Sequence, residues 1–240
     1  ISGFSAYTYV KMSNAYPSAG GIAMYLQKAY GRTTMTGGCA LLMAFSMVIN
    51  ESLVARTFGT YTLQLFGIDE GSILVPILAV GLIVFAFLVN LAGNKVVGPL
   101  SQATALLKIG GIAAFAVAAL WVSGINFEAA SNSPSGNTTS LGFLAAVALA
   151  ILAYKGFTTI TNSGSELKNP HKNVGRAIIV SLVICLVVYL LVALAVGSNL
   201  TIEDLVRTKN YSLAEAARSA LGRYGTWFTI AIAIVATASG

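Results

Sequence analysis

The sequence predicts an all-α integral membrane protein in which one membrane helix is interrupted near its middle. Three observations carry this. Of 240 residues, 56% are hydrophobic and only 9% are charged, whereas soluble domains carry roughly 25% charged residues. The apolar residues gather in runs that approach or exceed the roughly 20 positions an α-helix needs to cross the hydrocarbon layer. The run from Ala145 to Ser165 holds Lys155-Gly156 at its centre, a cation and a helix breaker where a plain span has neither.

Taken in order, residues 1–13 read as the end of a span. Tyr16-Pro17-Ser18-Ala19-Gly20-Gly21 stops it, because proline removes a helical donor and the glycine pair loosens the backbone. A short basic amphipathic stretch, Tyr25 to Arg32, follows, and then spans at about 38–66, 72–93 and 97–123. Asn126 to Ser140, rich in Ser, Asn, Gly and Thr, reads as a loop before the interrupted helix at 141–167. The polar turn Lys168-Asn169-Pro170-His171-Lys172-Asn173 leads to a strongly apolar span at 174–196. Thr201 to Arg223 is polar enough to lie outside the membrane, with Leu213 to Leu221 patterned as a short amphipathic helix, and a last span covers 224–240. Together these form a single transmembrane domain over residues 1–240. The chain opens on Ile1-Ser2-Gly3-Phe4 and stops inside an apolar run, so both ends are expected to fall within helices of a longer protein.

The formal charge of +6 is scattered through short loops, which points to membrane topology rather than to nucleic acid. Lys11, Lys28, Arg32, Lys95, Lys168, Lys172 and Arg176 share one side, which the positive-inside rule assigns to the cytoplasm of a cell membrane. The opposite side carries Asp69, Glu70 and Glu128, although Arg207, Lys209, Arg218 and Arg223 weaken the asymmetry. Cys39 and Cys185 lie in apolar runs and read as small buried hydrophobes, and the lone His171 excludes a multi-histidine metal site. With no nucleophile-base pair, paired carboxylates or metal cluster in the sequence, neither an enzyme nor a cofactor is expected.

Ionisable groups at mid-bilayer cost about 2.5–3.5 kcal/mol on insertion scales, so they face a bundle interior, a partner or water. Lys108, Lys155 and Glu51 are such groups. A four-carbon stem is far shorter than half of a roughly 30 Å core, which favours internal roles for the two lysines over snorkelling. For Glu51, an internal role and hydration at the interface stay open, because Arg56 on the same segment fits a helix rising to the membrane surface. Around Lys155 the order Leu152-Ala153-Tyr154-Lys155-Gly156-Phe157-Thr158-Thr159 clusters a breaker with small hydroxyl residues. Non-helical backbone at that depth lines a cavity or is buried in protein, and freed amides there can hold a carboxylate. The alternative is a continuous helix that packs through Gly156 and Gly164.

Three segments, in order, resemble the amino acid, polyamine and organocation (APC) superfamily of permeases. Tyr16-Pro17-Ser18-Ala19-Gly20-Gly21 with Tyr25-Leu26 and Tyr30-Gly31 resembles the family's Pro-Ser-x-Gly-Gly segment after the second helix. Ala153-Tyr154-x-Gly156-Phe157 resembles its broken sixth helix. Glu166-x-Lys168-Asn169-Pro170 with Lys172-Asn173 and Arg176-Ala177 resembles the loop into the seventh, and is the most specific of the three. The resemblance runs from the end of the second helix to part of the eighth. It implies a five-plus-five inverted-repeat transporter fold with a discontinuous sixth helix, moving amino acids by alternating access.

It also implies residue roles. Leu152 falls at the gate position, Ala153, Tyr154, Lys155, Gly156, Phe157 and Thr158 around the unwound stretch, and Asn50 with Leu53 on the third-helix face that lines the substrate site. Lys108 matches a fifth-helix lysine that in some relatives takes the place of a sodium ion, which implies coupling to a proton; Glu51 is the second candidate coupling residue. Lys155 departs from the family, where a small or apolar residue is usual, and its charge favours neutral or acidic amino acids unless Glu51 neutralises it. The implied activity is proton-coupled or exchange transport, with a proton and a small amino acid as partners in a lipid bilayer. The alternative is a transporter-like sensor or scaffold that binds without flux.

Overall fold

The computed structural model describes residues 1–68, 71–91, 94–126 and 139–239. Asp69, Glu70, Glu128, residues 127–138 of the expected loop and the side chain of Lys95 lie outside the described residues. All described secondary structure is helical: α1 (Ser2–Ala15), α2 (Gly21–Tyr30), α3 (Thr34–Gln64), α4 (Leu74–Leu91), α5 (Asn94–Ser123), α6 (Ser140–Ala153), α7 (Phe157–Ile160), a 3-10 turn (Thr161–Ser163), α8 (Pro170–Asn199), α9 (Ile202–Arg207) and α10 (Ser212–Ala238). Among the described residues, six stretches are long and apolar enough to cross a membrane: α3, α4, Ser101–Ser123 of α5, Ser140–Ser163, α8 and α10. The outward surface has the character such stretches need. Helix α4 buries only Val75, while Ile77, Val80, Val84, Phe87 and Leu88 stand exposed around it, the all-round apolarity of a helix solvated by lipid.

Two boundaries differ from the sequence expectation for local reasons. Helix α8 starts at Pro170, inside the expected polar turn, because proline fits a first helical position where no donor is needed. Asn169, at φ 50°, makes the preceding bend. Helix α10 runs from Ser212, but Gly222 (φ 67°, ψ −156°) kinks it between the amphipathic part and the membrane part, and the expected amphipathic helix ends there.

The chain divides into two compact units. The first comprises Ile1–Val48 and Asn137–Val187. Its core is Ala6, Phe157, Val174 and Ile178. Tyr9 stands edge-on to Phe157 (5.4 Å between centroids, 87°) and to Tyr25 (6.4 Å, 76°), contacts worth about 0.5–1.5 kcal/mol each beyond burial. The Tyr25 hydroxyl donates to Ser13 Oγ at 3.1 Å, and the Ser13 hydroxyl donates in turn to the Tyr9 carbonyl. Two glycines seat the Pro17–Gly21 bend on the chain that follows the interrupted helix. A Cβ at Gly164 would lie 2.8 Å from the Ser18 amide nitrogen, and Gly21, at φ 49°, faces the Asn162 side chain. His171 Nδ1 meets the Asn14 carbonyl at 2.7 Å, tying the first turn of α8 to the end of α1.

The second unit comprises Ile49–Gly136 and Val188–Gly240. Its main core joins Phe115, Ala116 and Ala119 of α5, Ala195 and Leu200, and Ala216 and Ala217 of α10. Lipid tails are as apolar as leucine, so helices in a bilayer gain association energy from close backbone approach over small side chains. The alanines supply that, as does Gly111 of α5 beneath Ile232. A second cluster gathers Tyr61, Ala214, Ile230 and Ala233. Helices α3 and α4 touch at Gly59, where a Cβ would stand 2.6 Å from the Val75 carbonyl oxygen. Helix α9 is capped by Thr201, whose Oγ1 accepts from the Asp204 amide at 3.2 Å, and Arg207 pairs with Asp204 at 3.0 Å.

Candidate functional site

Helix α6 stops at Ala153, and Tyr154-Lys155-Gly156 turn before α7 resumes at Phe157. The break is a tightening rather than an extended gap. The Tyr154 amide donates to Ile151 O (3.2 Å), Lys155 to Leu152 O (3.1 Å), Thr158 to Lys155 O (3.0 Å) and Thr159 to Gly156 O (3.2 Å), all three-residue turns. The threonines explain how such backbone survives in an apolar run. Thr158, Thr159 and Thr161 donate their hydroxyls to the carbonyls of Lys155, Gly156 and Thr158 at 2.9, 2.7 and 2.6 Å. The Lys155 and Gly156 carbonyls thus accept a threonine hydroxyl beside a three-residue-turn amide, so they need no water in lipid. Gly156 itself has right-handed dihedrals (φ −51°, ψ −28°) and open space where a Cβ would be.

This break forms one wall of a cavity of about 340 Å³ in the first unit. Helix α1 contributes Ser5 and Tyr9, and α3 contributes Met43 and Ser46. The Lys155 ammonium donates to Ser46 Oγ across it. Of the residues expected at a substrate site, Leu152, Lys155, Phe157 and Thr158 line this cavity, and Ala153, Tyr154 and Gly156 do not. Phe157 and Thr158 are buried, whereas Lys155 is half-buried. Asn50, Glu51 and Leu53 lie on α3 beyond Val48, in the second unit, and are not among its lining residues. Sequence reasoning passed over Ser46 and Tyr9. Ser46 stands one helical turn before Asn50, so the same-face rule was the signal that pointed to it. Tyr9 carried no signal beyond an aromatic in an apolar run.

Chemically, the cavity offers an ammonium and hydroxyls beside aromatic and aliphatic walls. That is a pocket able to hold a small solute with an anionic or acceptor group at one end and an apolar body at the other.

Lys108 occupies a different setting. It projects from α5 in the second unit, half-buried, and its ammonium donates to Ser239 O at 3.3 Å and Ser239 Oγ at 3.4 Å. The ammonium therefore ties α5 to the segment at the end of the described α10 by two hydrogen bonds.

Comparison with known proteins places these features. A family model for amino acid permeases matches residues 1–240. An uncharacterised protein of Methanocaldococcus jannaschii is 32% identical over 220 residues, covering 92% of this chain and 50% of its own length. The inner membrane transport protein YbaT of Escherichia coli is 28% identical over 242 residues, covering 100% of this chain and 55% of its own. The serine/threonine exchanger SteT of Bacillus subtilis is 25% identical over 220 residues, covering 91% and 49%. The chain therefore spans about half the length of these relatives. Matched along its whole length and carrying six apolar helices, the chain is a multi-pass integral membrane protein and belongs to the amino acid permease family.

Proposed function

We propose that the chain is part of a secondary transporter that carries neutral or acidic amino acids by alternating access, through proton coupling or exchange. One observation carries this reading: a helix break bearing Lys155 opens on a cavity of about 340 Å³ in a chain of the amino acid permease family. In this reading the break is the discontinuous sixth helix of a five-plus-five inverted repeat, and residues 1–240 form a single transmembrane domain. The substrate site comprises Leu152, Lys155, Phe157 and Thr158, joined by Ser46. The Lys155 ammonium draws the substrate carboxylate and repels the side chains of lysine and arginine. The name of SteT, a serine/threonine exchanger, supports a neutral substrate and exchange.

Lys108 serves as the coupling residue. Its ammonium bridges α5 and α10 when charged, and loss of the proton removes the attraction to the Ser239 carbonyl. Glu51, exposed on α3, is the second coupling candidate. The test is uptake of labelled serine and glutamate into proteoliposomes holding the complete protein, with and without an inward proton gradient. Saturable uptake is expected. Absence of flux under both conditions overturns the reading, and ligand binding without flux identifies a sensor or scaffold instead.

A further inference from the structure

One hollow in the second unit has no part in the proposed transport chemistry. It is a crevice of about 570 Å³ between α3 and α4. Its origin is local. Gly59 lets α3 meet the Val75 carbonyl, and away from that contact the facing residues of α3 are small, Ser52 and Ala55, so the gap stays unfilled. The α4 wall is an apolar stripe, Pro76, Ala79, Val80 and Ile83. From Pro76 to Ile83 it runs seven residues, about 10 Å along the helix axis. Val80 is 60% exposed and Ile83 48%, so the crevice opens outward. The lining also includes Arg56 and Ser72. Among the described residues no carboxylate pairs with Arg56.

We propose that this crevice binds an anionic phospholipid, its phosphate on Arg56 and an acyl chain along the Pro76 to Ile83 stripe of α4. The complementarity is two-sided. A soluble anion would satisfy the guanidinium but gain nothing from the apolar stripe, and a purely apolar ligand would gain nothing from the guanidinium. A phospholipid supplies both, and the fork of the guanidinium suits phosphate oxygens bidentately where an ammonium acts as a point charge. Because the protein is embedded in a bilayer, the ligand is its own solvent. This site does not depend on the transport reading, since its residues are separate from the cavity at the helix break.

The experiment is native mass spectrometry of the complete protein, titrated with phosphatidylglycerol and, separately, phosphatidylcholine. Wild type is expected to retain phosphatidylglycerol in preference to phosphatidylcholine. Arg56→Gln is expected to weaken phosphatidylglycerol retention by about tenfold, the scale of one charged hydrogen-bonding partner, and to abolish the preference. Arg56→Lys should restore part of it. Ala79→Leu, which fills the crevice, should weaken both lipids while leaving the melting temperature within a few degrees of wild type. Equal phosphatidylglycerol retention by wild type and Arg56→Gln overturns the proposal. So does an Ala79→Leu variant that changes the dimer population and leaves lipid retention untouched, because a second copy of the chain would then be the occupant.

Discussion

Lys155 sits where its helix stops, and Lys108 sits where its helix runs on. Both are half-buried cations in apolar segments, yet they solve the problem of charge differently. Lys155 has a single hydroxyl, Ser46 Oγ, and stands on the wall of a cavity. Lys108 has the carbonyl and the hydroxyl of Ser239, next to α10. A weakly committed ammonium on a cavity wall can exchange its partner for a solute carboxylate at little cost. One held between two helices trades packing, not ligand, when its charge changes. Under the proposed function, one lysine reads the substrate and the other the ion.

The largest effect that could break this comparison is at Lys108. Lys108→Met in the complete protein is expected to bring gradient-driven uptake to background while substrate exchange across the vesicle continues. Unchanged proton-driven uptake would remove Lys108 from coupling and leave it a helix tie. Next in size, Lys155→Ala is expected to admit arginine and lysine, raising their competition against labelled serine by about tenfold, the scale of one lost charge contact. An unaltered competition profile would make Lys155 a structural cation.

Smaller effects sharpen the picture around the break. Gly164→Ala places a Cβ against the Ser18 backbone and should cost about 1–3 kcal/mol, read as a lower midpoint in denaturant unfolding of the detergent-solubilised protein. Ser46→Ala should shift the apparent affinity for substrate by roughly fivefold, since it removes one hydrogen bond of about 1 kcal/mol; a shift in turnover alone would argue against a binding role. Gly156→Ala should be the mildest. The residue has right-handed dihedrals and open space, so alanine is tolerated or stabilises by about 0.4–1 kcal/mol. A large loss of stability there would mean that the glycine, not its threonine neighbours, sustains the break.

The spans and the interruption were legible because both are local. Hydropathy marks α3, α4, α5 and α8 within a few residues, and Lys155-Gly156 flags the turn at Tyr154–Gly156 from its own composition. The conformation of that turn was less legible. A glycine in an apolar run suggests loosened backbone, whereas the chain tightens and the hydroxyls of Thr158, Thr159 and Thr161 bond its carbonyls. Contacts across long stretches of sequence were not legible at all. Nothing near Ser46 names Lys155, 109 residues away. The glycine at 164 looks like any packing glycine until Ser18 is found against it. Conversely, Ala153, Tyr154 and Gly156 carried the family pattern without facing the cavity, since a motif conveys backbone geometry as readily as side-chain contact.

The tie between Lys108 and Ser239 also carries a clock. The two residues are 131 positions apart. At about 5–20 residues per second of synthesis, the lysine emerges on the order of ten seconds before its acceptor exists. During that interval α5 holds an ammonium in an apolar segment without the carbonyl that will receive it. The hydrogen bonds of Lys108 to Ser239 therefore form only after α10 has been made.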